Sequence, residues 1–132
     1  MANKKKIAYI SGTRAEFGLM TSVLRAIQKS KKLELQLYVT GIHLMPEFGN
    51  TIQEVKREFS KVKKIDAVFE SDDRVGMAKF TGEFLPKLVS VLDKDKPDFV
   101  LILGDRPEML CVAVACLYLG IPFYIILPGI SP

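Results

Sequence analysis

Tryptophan is absent from the 132-residue sequence, histidine occurs once, and cysteine occurs twice, as Cys111 and Cys116. Two cysteines five positions apart fit neither a disulfide framework nor a Cys-x-x-Cys pair, and a single histidine cannot build a zinc site. We therefore predict no metal and no cofactor. Both cysteines are interpreted as core residues of a protein in the reducing cytoplasm.

Low-complexity and long uninterrupted apolar segments are also missing. The composition is 48% hydrophobic and 26% charged, with nine glycines and seven prolines, which excludes a disordered or collagen-like chain. No secretory signal is recognisable, because the lysines at 4–6 lead into only a short apolar run. Gly120-Ile121-Pro122 divides the uncharged stretch 109–132, so we expect no membrane span. The length predicts a single domain over residues 1–132.

Positive charge is concentrated in the first half of the chain. Residues 1–66 hold 13 Lys and Arg against six Asp and Glu, whereas residues 67–132 hold six against nine. Lysine runs of this kind occur at nucleic-acid interfaces and, more often, at solvated helix ends. No aromatic residues interleave with these lysines to stack on bases. We therefore favour the solvated interpretation and expect no nucleic-acid partner.

The apolar periodicity alternates between that of strands and that of helices. The predicted strands are Lys6–Ser11, Leu33–Thr40, Ile65–Phe69, Asp98–Leu103 and Phe123–Leu127, the last two as buried strands. The predicted helices are Phe17–Lys31, Asn50–Phe59 with Asn50 as N-cap, Asp73–Leu92 with a kink or break at Pro86, and one that begins near Pro107. This order predicts an α/β fold with a doubly wound, Rossmann-like parallel sheet. Its first and fourth strands should be neighbours.

The loops that leave these two neighbouring strands carry the candidate chemistry. They read Gly12-Thr13-Arg14 and Gly104-Asp105-Arg106, so each places an arginine at the start of a helix. Helix N-termini favour anions, and two guanidinium groups can bind phosphate oxygens in bidentate fashion. The pattern points to a phosphorylated ligand such as a nucleotide or nucleotide sugar. It matches neither the P-loop nor the dinucleotide fingerprint.

One alternative competes with this interpretation. Arg14 and Arg106 could instead form surface ion pairs with Glu16 and Glu108, two residues further along each loop. We favour phosphate binding because both loops border one crevice.

Asp105 and His43 are the candidate acid–base and polar residues of the crevice. Beside Arg106, the carboxylate of Asp105 would stay ionised and could take a proton from substrate, although an aspartate here is also a common N-cap. His43 follows the second strand, where a lone histidine is more often structural. Asp72-Asp73-Arg74 is a charged turn that could bind a ligand, but we favour its interpretation as the N-cap of the third helix.

Four segments resemble one enzyme family. They are Lys5-Lys6-Ile7-Ala8-Tyr9-Ile10-Ser11-Gly12-Thr13-Arg14-Ala15-Glu16-Phe17-Gly18, Thr40–Leu44 with Pro46–Thr51, Phe69–Ala78, and Lys96–Arg106. They are similar to the corresponding motifs of the hydrolysing UDP-N-acetylglucosamine 2-epimerases, and the likeness runs over nearly all of residues 4–123.

The resemblance implies half of a glycosyltransferase-B type, two-domain fold. The family converts UDP-N-acetylglucosamine to N-acetylmannosamine and UDP through a glycal, which supplies sialic acid or related amino-sugar synthesis. By motif position, Arg14 and Arg106 would hold the UDP phosphates, Asp105 would be a catalytic acid or base, and His43 would lie near the sugar. The other substrate-binding candidates of the same loops are Gly12, Thr13 and Glu108.

The sequence departs from the family pattern after Ile121-Pro122, where only Gly129 stands at its expected place. The family continues with a segment close to His-x-His-Gly-Gly-Glu/Asp, whereas this chain reads Phe123-Tyr124-Ile125-Ile126-Leu127-Pro128-Gly129. We therefore expect a truncated or frame-shifted product that lacks the second domain and is inactive alone. The alternative is a non-catalytic, doubly wound nucleotide- or partner-binding module. The expected protein partner is either a second copy of this chain, in a homo-oligomer, or the missing C-terminal domain.

Overall fold

The computed structural model describes residues 4–49, 51–71, 73–104 and 106–126, without the side chains of residues 14–16 and Phe48. Its strands are β1 (Lys5–Ser11), β2 (Leu33–Val39), β3 (Val62–Lys64), β4 (Phe99–Leu103) and β5 (Phe123–Ile126). Its helices are α1 (Arg14–Lys29), α2 (Thr51–Glu58), α3 (Arg74–Asp95) and α4 (Pro107–Leu119), and two 3-10 turns span Gly41–Leu44 and Pro46–Phe48. The predicted N-cap Asn50 and the end of the predicted last strand, Leu127, lie outside the described residues.

The five strands form one parallel sheet in the order β3-β2-β1-β4-β5. The chain therefore winds outward in two directions from the central pair β1 and β4, which confirms the predicted doubly wound, Rossmann-like topology. In such a sheet the carboxyl ends of the strands share one edge. The loops after β1 and β4 consequently open side by side, as the sequence predicted.

Helices cover both faces of the sheet. On one face, α3 and α4 pack against alternate residues of the central strands, among them Ala8, Ile10, Val100 and Ile102. On the other, Phe17 and Leu24 of α1 pack against the intervening residues. Period-two alternation sends successive side chains to opposite faces. A strand that is buried on both faces therefore reads as a continuous apolar run. The strand predicted here is confirmed as β4, although Phe99 and Leu101 on one of its faces are only half-buried.

The prediction of the third strand was wrong in position. The structure places β3 at Val62–Lys64, where Leu37–Val39 of β2 pair with it, and not at 65–69. Ile65, Ala67 and Phe69 are buried. They belong to an extended connection outside the strand, although its backbone still bonds to the end of β2: the Ile65 N–H donates to the Val39 carbonyl and the Ala67 carbonyl accepts from the Gly41 N–H, both at 2.9 Å. Two of the three β3 residues are exposed lysines, which suits an edge strand. With so few apolar residues, the strand cannot be recognised from the apolar periodicity of the sequence.

Two further expectations are corrected. The break at Pro86 does not occur, because Pro86 lies inside α3 without ending it; the alternative of a kink there stays a prediction. Pro86 and Gly82 are both exposed, so water can satisfy the Gly82 carbonyl, which loses its helical donor. The last strand is an exposed edge strand and not a buried one, since Tyr124 is 58% exposed and Ile125 41%.

Several local predictions are confirmed. Asp73 caps α3, and its carboxylate accepts a hydrogen bond from the Gly76 backbone at 2.8 Å. Pro107 is the first residue of α4, where its missing N–H costs nothing. Cys111 and Cys116 are free and buried. No helix within the described residues is long and apolar enough to cross a membrane.

Candidate functional site

The loops after β1, β2 and β4 meet at the carboxyl edge of the sheet. The Gly12 carbonyl accepts a hydrogen bond from the Ile42 backbone at 3.1 Å, and the Ser11 carbonyl accepts one from Thr40 at 3.0 Å. Gly41 has a φ of 63°, a conformation in which glycine is favoured. These contacts fix the loop after β2 against the end of β1.

Glu108, in the first turn of α4, lies between these loops. It is 3% exposed, and its carboxylate occupies the space that a Cβ atom on Gly12 would need, with the carboxyl carbon 2.7 Å from that position. A Cβ on Gly41 would lie 3.3 Å from Oε1 of Glu108 and from the Phe69 ring. The two glycines therefore leave room for a buried carboxylate at the junction of three loops.

Arg106 is the cation of this cluster. Its Nε lies 3.5 Å from Oε1 and 3.4 Å from Oε2 of Glu108, and its guanidinium carbon lies 5.5 Å from the centre of the Phe69 ring. The ion-pair alternative is thus observed for Arg106. Its side chain is 29% exposed, and a guanidinium group carries five donors. Donors remain for an anionic ligand in the crevice.

One oxygen of the buried carboxylate is not satisfied. Oε2 of Glu108 is inaccessible to solvent and accepts no hydrogen bond within the described part of the chain, because its contact with Arg106 is an ion pair only. The positive charge of Arg106, 3.4 Å away, compensates this oxygen electrostatically.

His43 is buried beneath the same edge. Its Nε2 lies 2.7 Å from the Ser11 hydroxyl and its Nδ1 lies 3.0 Å from the Thr51 hydroxyl. Burial lowers its pKa to about 4, against a hydrogen bond with the Thr13 backbone and the charge of Glu54, which raise it. The ring is therefore neutral at pH 7, and it ties the end of β1 to the start of α2.

An open cleft of about 230 Å³ adjoins the cluster. Arg106 and Phe69 form one wall, and Ile42, Met45 and Met77 contribute further apolar side chains. The Phe69 ring is itself fixed by stacking on Phe80, with ring centres 4.2 Å apart. The cleft thus combines one cation with a rigid apolar surface.

The structure brings Gly12, Arg106 and Glu108 together and places His43 against Ser11, the residue before Gly12. Thr13, which is half-buried, lies on the same loop as Gly12. Asp105 and the side chain of Arg14 lie outside the described residues. No group of three His, Cys, Asp or Glu that could hold a metal ion occurs in the part of the chain that the structure describes.

Sequence reasoning missed Phe69 as the residue beneath Arg106, and Ser11 and Thr51 as the partners of His43. All three belong to segments that carry the family resemblance, which was the available signal. The residue types alone gave no signal, because phenylalanine is an ordinary core residue and hydroxyl residues are ordinary at the ends of helices and strands.

Comparison with known proteins tests the family resemblance of these segments. The family model described as UDP-N-acetylglucosamine 2-epimerase matches residues 25–129. The chain is 42% identical over 120 residues to the GDP/UDP-N,N′-diacetylbacillosamine 2-epimerase (hydrolyzing) of Campylobacter jejuni, covering 91% of this chain and 31% of that protein. It is 41% identical over 119 residues to the UDP-N,N′-diacetylbacillosamine 2-epimerase (hydrolyzing) of Legionella pneumophila, with 89% and 32% coverage.

A solved structure gives the same picture. The UDP-GlcNAc 2-epimerase of Neisseria meningitidis, bound to UDP-GlcNAc, superposes with a TM-score of 0.71 at 25% identity, over 96% of this chain and 33% of that one. The chain thus spans about a third of the length of these relatives. Since the family model matches most of its residues, the chain belongs to the UDP-N-acetylglucosamine 2-epimerase family.

Proposed function

We propose that this chain forms one wall of the nucleotide-sugar site of a hydrolysing UDP-sugar 2-epimerase. The carrying observation is the convergence of Gly12, Glu108 and Arg106 at the carboxyl edge of the sheet, where ligands bind in doubly wound folds. The named relatives act on N,N′-diacetylbacillosamine nucleotides or UDP-N-acetylglucosamine. Both substrate types are candidates for the complete enzyme.

The proposed reaction has two halves. A base removes the proton at C2 while the C1–O bond breaks, UDP leaves with the electron pair, and a C1–C2 double bond forms. Water then adds its hydroxyl to C1, and a proton returns to C2 on the opposite face. This gives the epimerised free sugar and UDP. We assign one of the acid–base steps to Asp105, which a neighbouring cation would keep ionised.

Arg106 is proposed to bind the diphosphate, together with Arg14. Its free donors suit phosphate oxygens, and it sits immediately before the N-terminus of α4, which adds a favourable dipole. Glu108 is proposed to contribute to substrate binding indirectly, by holding Arg106 in position. The charge of Arg106 in turn compensates the Glu108 carboxylate, which would otherwise repel a diphosphate. Gly12 and Thr13 would approach the phosphates through their backbone.

His43 is proposed to act near the sugar as a positioning residue. Both its ring nitrogens are engaged by hydroxyl groups, and its low pKa keeps it uncharged at pH 7. It would therefore fix the loop at 41–45 against the end of β1, so that the cleft beside Arg106 keeps its shape. Two buried, free thiols suit the reducing cytoplasm, where we place the enzyme.

Glycine amide resonances offer a direct test of ligand placement. Titration of the ¹⁵N-labelled chain with UDP should shift the amide signals of Gly12 and Gly41, while those of Gly18 in α1 and Gly120 after α4 stay in place. Thymidine without phosphate is the control ligand and should shift none of them. An absence of shifts at Gly12 and Gly41 at millimolar UDP would overturn the proposal.

A second measurement addresses catalysis. We propose that one wall is insufficient, since glycal formation needs an acid and a base on opposite faces and an enclosed cleft. The chain alone should bind UDP but release no UDP from UDP-N-acetylglucosamine. Steady turnover by the chain would contradict this.

Light scattering tests the remaining alternative, because a non-catalytic module that docks through its exposed β5 edge should form a stable oligomer.

A further inference from the structure

A buried hydrogen-bond network connects the start of α2 to the loop after β1. The Thr51 hydroxyl lies 3.0 Å from Nδ1 of His43, and Nε2 of the same ring lies 2.7 Å from the Ser11 hydroxyl. That hydroxyl donates a hydrogen bond to the Thr13 carbonyl at 3.4 Å. Thr51 is 6% exposed, His43 1% and Ser11 0%. Each bond of this network is therefore shielded from water, and the loss of one partner is felt by the next.

The direction of the hydrogen bonds follows from the last member of the network. A carbonyl oxygen can only accept, so the hydroxyl proton of Ser11 points to Thr13 and the Ser11 oxygen accepts from the ring. Nε2 of His43 consequently carries a proton. Because burial lowers the pKa of the ring to about 4, the ring is neutral at pH 7 and only one of its nitrogens is protonated. Nδ1 is then the acceptor, and the Thr51 hydroxyl is its donor.

The network ends at the carbonyl where α1 begins. The Thr13 carbonyl also accepts the first helical hydrogen bond of α1, from the Phe17 backbone at 3.2 Å. A carbonyl that is held by two donors fixes the orientation of the peptide group to which it belongs. In the proposed function the backbone of Gly12 and Thr13 approaches the phosphates. The orientation of this loop therefore determines how well it binds them.

We propose that Thr51 and Ser11 are positioning residues of the nucleotide-sugar site, which act through the Nε2-protonated form of His43 to hold the phosphate-binding loop after β1. The inference rests on the proposed function, because it takes phosphate binding as the role of that loop. Thr51 lies on α2, and its effect on the loop passes through the histidine ring.

The protonation of the ring is tested without any ligand. Since the sequence holds one histidine, ¹⁵N-histidine labelling gives one pair of ring nitrogen signals. At pH 7, Nε2 should show a one-bond coupling to a proton and Nδ1 should show none. Thr51→Val removes the donor to Nδ1 and should shift the Nδ1 signal. Thr81→Val in α3, where the hydroxyl donates to the Ala78 carbonyl, is the matched control and should not. A proton on Nδ1 in the parent chain would overturn the proposal.

UDP affinity tests the positioning role. In isothermal titration, Thr51→Val and Ser11→Ala should each weaken UDP binding at least about threefold, the effect of one hydrogen bond of ordinary strength. Thr51→Ser keeps the hydroxyl and should restore most of the affinity, and Thr81→Val should leave it unchanged. A far-ultraviolet spectrum confirms that the variants fold.

The double variant tests whether the two residues act together. Thr51→Val and Ser11→Ala interrupt the same network, so the double variant should bind UDP little more weakly than either single variant. Independent contributions would instead multiply. A multiplicative loss would refute the proposal. So would lower stability of both single variants in urea unfolding with unchanged UDP affinity, because the network would then be merely structural.

The outcomes separate this proposal from the proposed function. If the parent chain binds UDP and both single variants bind it equally well, the positioning role is refuted and the nucleotide-sugar proposal stands. If the parent chain does not bind UDP, the nucleotide-sugar proposal fails and the positioning role fails with it.

Discussion

Replacement of Gly12 by alanine is the sharpest perturbation of the loop junction. The new Cβ would lie 2.7 Å from the carboxyl carbon and 3.2 Å from Cγ of Glu108, whereas carbon atoms pack at about 3.5–4.0 Å. Glu108 would have to move, although it is 3% exposed and enclosed by Gly41 and Phe69. Positive φ among the described glycines occurs at 41, 49, 104 and 120, so alanine at 12 strains no backbone dihedral.

The expected cost is that of overpacking a buried site, about 1–3 kcal/mol. Urea unfolding followed by circular dichroism should show a decrease of about 2 kcal/mol in the free energy of unfolding of Gly12→Ala. Gly18→Ala is the matched control. A Cβ at Gly18 meets nothing within 4 Å inside α1, so this change should stabilise by about 0.5–1 kcal/mol.

A double-mutant cycle assigns the cost to the carboxylate. In a Glu108→Ala background the clash is gone, and Gly12→Ala should then cost less than about 0.5 kcal/mol. The coupling energy should therefore be about 1.5 kcal/mol or more. An equal cost of Gly12→Ala in both backgrounds would refute the packing of Gly12 against Glu108.

Two further predictions concern hydrogen-bonded side chains outside the Arg106 cluster. The Tyr38 hydroxyl donates a hydrogen bond to Asp95, so Tyr38→Phe should cost about 1 kcal/mol in urea unfolding, while Tyr124→Phe at the exposed edge should cost nothing measurable; equal effects would contradict the assignment. Burial lowers the pKa of His43 to about 4, so the unfolded chain binds more protons than the folded one between pH 6.5 and 4, and stability must fall as the pH is lowered through that range. His43→Gln should remove the dependence above about pH 5, since the sequence holds no other histidine; the lowered pKa values of Asp73 and Asp95 leave a dependence at lower pH. An unchanged slope above about pH 5 would assign it to other groups.

The topology was predictable because the central strands are buried on both faces. A continuous apolar run such as Phe99–Leu103, closed by Gly104, has few other interpretations. The edges of the sheet were not predictable to the same degree. Val62–Lys64 gains stability from backbone pairing with β2, which leaves no apolar signature. The neighbouring alternation at 65–69 reflects burial of an extended connection that lies outside the strand.

The candidate site was predictable in its loops and only partly in its contacts. Strand order alone placed the loops of Gly12 and Arg106 side by side, because strands that neighbour in a parallel sheet end at one edge. The sequence could not decide that Arg106 pairs with Glu108 and lies over Phe69, since both depend on side-chain directions set by tertiary packing. The burial of His43 likewise depends on tertiary packing, because its Nδ1 atom is hydrogen-bonded to the hydroxyl of Thr51, the first residue of α2.

Isothermal titration of UDP into the chain and its Arg106→Ala variant tests the central claim most directly. Loss of a charge-assisted phosphate contact should weaken UDP binding at least tenfold. Arg57→Ala, which removes an exposed arginine near the end of α2, should leave the affinity unchanged. Equal UDP affinity of the parent chain and Arg106→Ala would contradict the account.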